Sequence, residues 1–179
     1  MSSATPRLIL DLVDILKQGR DLIAASSDTL YQQLPDQFKA SSLGAHYRHH
    51  LEHVELLLSG LGQSVIDYDD RARNQQLETD RAYALERTDA LIDAFLGLQE
   101  DALNEELTVV YRSCTEADTR PRAKSTLGRE MLFLISHAVH HYALMRILVE
   151  ASGASTRDDF GVMPSTQAHP EAKKHVFGR

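Results

Sequence analysis

Apolar residues recur at helical spacing in four long segments of this 179-residue chain, and that periodicity limits the fold more than any other feature. Leu8, Leu12, Ile15, Leu22, Ile23 and Leu30 mark a first helix from Pro6 to about Leu34. Ser26 and Ser27 weaken its middle, and Pro35 ends it. A second helix runs from about Leu43 to Leu61, with Gly60 and Gly62 at its end. A third, from about Asp80 to Asn104, turns Leu85, Thr88, Ile92, Phe95 and Leu96 to one face. The fourth and most apolar runs from about Thr126 to Ser152, where Gly153 stops it. Leu127, Met131, Leu134, Leu144, Met145 and Leu148 form its inward stripe. Four such segments predict an all-α chain: a four-helix bundle over residues 1–153, then an irregular tail over 154–179.

Between helices the pattern is weaker. Gln63 to Thr79 follows neither helical nor strand period and reads as a functional loop or a simple connection. Leu107 to Cys114 is rich in β-branched residues. It pairs, on this reading, with residues 119–124 as a small β-hairpin between the third and fourth helices, kept to an edge by Pro121.

Composition narrows the class. Hydrophobic residues make up 42% and charged residues 25%, which argues against wholesale disorder. The formal charge of -7 gives no help to nucleic-acid binding, which wants a basic face. Most of the acidic excess falls between residues 67 and 106, as a solvated face. The single cysteine, Cys114, forms no intrachain disulfide and reads as inert. Asp11 and Asp14 interrupt the apolar start, so no signal peptide is expected. No uninterrupted run of 18 apolar residues occurs, so no membrane span is expected. The default is a soluble cytoplasmic protein.

The anomaly is histidine. The chain has nine and no tryptophan. His137, His140 and His141 lie on the fourth helix, and His46, His49, His50 and His53 on the second. At 100° per residue, His137 and His141 stand about 40° apart, one turn from each other on the face that Leu134 and Leu144 extend. The four on the second helix cover an arc of about 100° that Val54, Leu57 and Leu61 continue. Burying several imidazoles without partners is costly, and two imidazolium ions would repel. A divalent metal resolves both problems, because neutral imidazoles donate lone pairs to it. Ala138 occupies the position where a zincin helix carries its water-activating Glu, so that chemistry is absent. Spacing alone predicts three or four histidine ligands. Helical phase mildly favours His50 or His53 over His49 from the second helix. Surface histidines without a role, or a metal-free polar network with Glu130, are the competing readings.

With these residues in view, the chain resembles the DinB-like superfamily of metalloproteins, which includes the YfiT-type proteins. The resemblance rests on Gly44, His49 and Glu52 at family spacing, and on His137 and His141 as His-x-x-x-His. It covers roughly residues 8 to 152. Four further stretches are similar to an uncharacterised subgroup: Val65 to Asp69, Gly128 to Glu130, His140 to Leu144, and Phe160 to Thr166. The resemblance implies a four-helix bundle with one divalent metal ion (Zn, Ni or Fe) held by His49, His137 and His141. It thus selects His49, against the mild phase preference. It also implies transfer reactions that use low-molecular-weight thiols.

The expected function is therefore a metal-dependent transferase or hydrolase acting on a small molecule. The alternative is a non-catalytic metalloprotein whose ion staples helices or reports metal or stress state. His46, His53, His140 and Glu130 are expected to support the ligands or carry protons, with structural pairing to Arg48 or Arg129 the equal alternative for Glu130. Asp67 and Tyr68 are expected either in a self-contained polar loop or as a lid contacting the substrate. The long apolar faces allow a homodimer without locating its interface.

Overall fold

The structure, a computed structural model, describes residues 5–33, 41–116 and 119–168. The first helix, α1 (Arg7–Ala25), begins where the Pro6 carbonyl accepts the Ile9 and Leu10 amides. It does not continue to the thirties as one rod. The Ser26 hydroxyl donates to the Leu22 carbonyl at 2.8 Å. The Ser27 side chain accepts the Leu30 amide at 3.1 Å and opens a separate turn, α2 (Asp28–Gln32). Serine side chains compete for backbone partners, and two in succession break the helix. The expected stop at Leu34 and Pro35 lies outside the described residues.

Helix α3 (Leu43–Leu61) keeps its expected bounds, with the Ser42 side chain capping the Ala45 amide at 3.0 Å. The segment after it holds more structure than its pattern suggested. Strand β1 (Val65–Asp67) is followed by the short helix α4 (Gln75–Thr79). Helix α5 (Arg81–Leu96) is capped by Asp80 through the Tyr83 amide at 3.0 Å. It ends at Gly97, not at Asn104, and a separate 3₁₀ turn covers Glu100–Asn104.

Strands β2 (Glu106–Val110) and β3 (Arg122–Thr126) pair antiparallel, with Glu106 opposite Thr126 and Val110 opposite Arg122. The expected hairpin is present, though β2 stops four residues short of Cys114, which is exposed. β1 pairs parallel to β2, with Val65 opposite Thr108, so the sheet has three strands in the order β1-β2-β3. β3 starts just after Pro121 and lies at an edge, where a missing amide donor does least harm.

β3 runs directly into the longest helix, α6 (Leu127–Ala151). The chain is thus mostly helical with a small mixed sheet. α1 packs on α5 and α6, and α3 packs on α6 and α5. Leu12, Leu16, Leu51, Leu57, Phe95, Leu134 and Met145 are fully buried between them. Burying each such side chain contributes about 1.5–3 kcal/mol. By length and composition alone α6 could cross a membrane, despite its interruptions, yet 50% of its most apolar window is buried inside the protein.

The tail is only partly irregular. Phe160 is buried and stacks on Tyr142 of α6 at 4.9 Å, and a last turn, α7 (Pro164–Gln167), follows.

Candidate metal centre

The α3–α6 contact brings the two histidine groups together. Ring centroids of His49 lie 5.1 Å from His137 and 4.6 Å from His141. His53 lies 4.2 Å from His137 and 4.6 Å from His49. His49, His53 and His137 each offer a nitrogen within 4.8 Å of the other two. Across the top of this group, His137 Nε2 and His141 Nε2 stand 3.2 Å apart. Two imidazole nitrogens on one tetrahedral zinc ion at about 2.0–2.1 Å are separated by about 3.4 Å. The separation of the expected pair His137 and His141 suits shared ligands and equally a direct hydrogen bond, and the group of three within 4.8 Å does not include His141. His49 is beside both, and His53, expected as a supporting residue, is equally close.

Hydrogen-bond chemistry fixes several proton positions. His53 Nδ1 lies 2.7 Å from the His49 carbonyl, which can only accept, so Nδ1 carries the proton. Its Nε2 then presents a lone pair, the arrangement usual for a metal-ligating histidine. His46 Nδ1 is 3.2 Å from His141 Nδ1. If His141 donates its Nδ1 proton to His46, its Nε2 lone pair is free toward His137; if His46 donates, His141 carries its proton on Nε2.

His137 Nδ1 is buried without a partner. A proton on Nδ1 leaves that donor unsatisfied, and its Nε2 faces either a second lone pair or an N–H of His141 according to the His141 tautomer. A proton on Nε2 leaves a bare buried lone pair on Nδ1. Neither tautomer satisfies the His137 Nδ1, and with both Nε2 atoms deprotonated a cation shared by them would remove the lone-pair repulsion. On this donor set the residues fit a divalent ion.

Electrostatics agree. Burial, then the neighbouring rings His53 and His141, lower the His137 pKa from its usual value to about 2. Burial and then His49 lower His141 to about 3, and burial and then His53 lower His49 to about 4. The rings are neutral at pH 7, as ligands must be.

His50, favoured by helical phase, is fully buried, with its ring 6.5 Å from His137 and its Nε2 turned to Tyr142. Tyr142 donates its hydroxyl proton to the Ile15 carbonyl at 3.1 Å, so His50 Nε2 donates to the Tyr142 oxygen at 3.3 Å. His140 is exposed and meets the group at the edge of His141, at 5.2 Å.

Tyr68 lies at the site: its ring stacks on His53 at 5.4 Å and its hydroxyl donates to Glu130 at 3.0 Å. Glu130 is buried and also accepts from Ser125 at 2.5 Å and from Arg129 at 3.0 Å. Among the described residues it has no bond to a histidine and reaches the group only through Tyr68. Beyond it a solvent-open cleft of about 800 Å³ is lined by Ser64, Thr108, Lys124, Ser125 and Arg129. Asp67 does not reach the site: its carboxylate pairs with Arg120 and accepts the Asp69 amide at 3.0 Å.

Two neighbours were not foreseen. Phe133 stacks on His137 at 5.6 Å, and its place one turn before that histidine was a usable signal. Arg71 contacts His49 Nδ1 through Nη1. Nothing local in sequence announces a loop residue 22 positions further on.

No family model and no solved structure matches the chain. A curated relative, FK506-binding protein 5 of Rhizopus delemar, is 30% identical over 106 residues, 59% of this chain. The chain spans 28% of that protein's length.

Proposed function

We propose that the chain is a divalent-metal protein of the DinB-like type, its long helices α1, α3, α5 and α6 forming the bundle and His49, His137 and His141 the ligand set. One observation carries this reading: imidazoles from α3 and α6 converge, with His137 Nε2 and His141 Nε2 3.2 Å apart. When bound, a divalent ion supplies Lewis acidity to a water or a small-molecule thiol at neutral pH. With His141 ligating through Nε2, its Nδ1 proton would be donated to His46 Nδ1. His53 Nε2 has its lone pair free to take a proton from the incoming group. Tyr68, fixed by Glu130, covers the His53 ring on one side, and Phe133 covers His137, so both limit access of bulk water. The activity proposed is transfer or hydrolysis on a small molecule, without nucleic acid or membrane.

A second reading is favoured by His53 itself. With His49, His53, His137 and His141 all ligating, the coordination would be closed and the ion structural. Elemental analysis of protein isolated without added metal tests both readings, with imidazole counting by X-ray absorption. One ion per chain with three imidazoles and a lighter ligand supports the open centre. Four imidazoles support the structural one. Undiminished metal content in His137→Ala would overturn the centre altogether.

A further inference from the structure

Arg71 is the unexplained charge at the histidine group. Neighbouring guanidiniums have carboxylates: Arg48 pairs with Glu78, Arg120 with Asp67 and Arg129 with Glu130. Arg71 forms no ion pair among the described residues. Its Nη1 faces His49 Nδ1, and its Nε is buried without a partner. A half-buried guanidinium beside neutral imidazoles carries an uncompensated charge, which is costly. Of the buried carboxylates Glu52 and Glu130, neither pairs with Arg71. Glu130 takes three donors, and Glu52 Oε1 accepts the Asn74 amide at 2.6 Å while Oε2 stands alone.

The contact with His49 is also exclusive. Arginine only donates, so His49 Nδ1 supplies a lone pair to it. A neutral imidazole has one such lone pair. If His49 ligates through Nε2, the proton moves to Nδ1 and the Arg71 contact is lost. A loaded site therefore presents a free guanidinium at its rim, and a guanidinium fork matches the two oxygens of a carboxylate.

We propose that Arg71 anchors a carboxylate-bearing small molecule at the histidine centre. This rests on the metal reading for where the reacting group sits, but the anion contact itself does not need the ion. Acetate is the probe, titrated at constant ionic strength into metal-free and zinc-loaded protein and followed by calorimetry and imidazole nitrogen NMR shifts. Wild type is expected to bind acetate saturably. Arg71→Gln should weaken binding about tenfold or more, the scale of one lost charged hydrogen bond, with zinc stoichiometry unchanged. Arg71→Lys keeps the charge but not the fork, and should bind more weakly than wild type; it serves if the Gln variant does not fold.

Equal acetate affinity in wild type and either variant overturns the proposal, as it would if Arg71 simply closed onto Glu52. Arg71-dependent binding of inorganic phosphate without any of acetate overturns the carboxylate assignment. A chain that takes up no zinc yet binds acetate through Arg71 would refute the metal reading and leave this one standing. Zinc uptake without acetate binding would do the reverse.

Discussion

The clustered imidazoles differ in what each second nitrogen finds, and that difference sets how the molecule responds to acid. His137, His141, His49 and His50 have pKa values lowered to about 2, 3, 4 and 3, in each case first by burial and then by neighbouring rings. In the unfolded chain they return to about 6.5. The unfolded state therefore binds more protons below that pH, so stability is complete above about 6.5 and falls as pH drops toward 4. Each proton taken up on unfolding contributes a slope of about 1.4 kcal/mol per pH unit. Urea midpoints of metal-free protein between pH 7.5 and 4.5 should show a slope above one proton, and a flat profile would contradict neutral, buried rings. Glu130 offers a second test at this scale. Its carboxylate accepts from Tyr68, Ser125 and Arg129, whereas an amide brings its own donors. Glu130→Gln should cost about 1–3 kcal/mol in urea unfolding while keeping the metal, because Glu130 touches no histidine among the described residues.

At the scale of elements, end signals were legible wherever a single residue supplies the cap. Ser42 starts α3 and Gly62 ends it, as expected. Gly97 ends α5 two turns before the expected boundary at Asn104, because the apolar pattern continues beyond the glycine into a 3₁₀ turn. The break at Ser26 and Ser27 read as a weak spot and became a stop, since both hydroxyls found backbone partners. The tail after Gly153 carried no periodicity, and only packing shows that part of it docks. Gly161, at φ +71°, lets the chain turn where a Cβ would lie 2.7 Å from the Ala143 nitrogen, and Phe160 then stacks on Tyr142. Phe160→Ala should destabilise by about 3–5 kcal/mol in chemical unfolding, the scale of a lost buried aromatic side chain. A change under about 1 kcal/mol would mean that the tail does not hold this place in solution.

For the whole molecule, a ligand that bridges α3 and α6 couples to folding. An ion bound only by the native state adds about 2.7 kcal/mol at a concentration 100 times its Kd. In a chain of this size that raises Tm by about 5–10 °C. Zinc added to metal-free protein should give that rise and a chelator should reverse it, as followed by scanning calorimetry. An unchanged Tm would mean that no ion joins the two helices. The sequence by itself determined the helical segments, their apolar faces and the presence of imidazoles on two of those faces, because periodicity and capping act within one or two turns. Only the tertiary structure decided that His53 joins His49, His137 and His141 while His50 turns to Tyr142, that β1 runs parallel to β2, and that Tyr68 and Arg71 reach the group. Those outcomes depend on how α3 is rotated against α6 and on where a long loop crosses them, and such contacts between distant residues leave no local period to read.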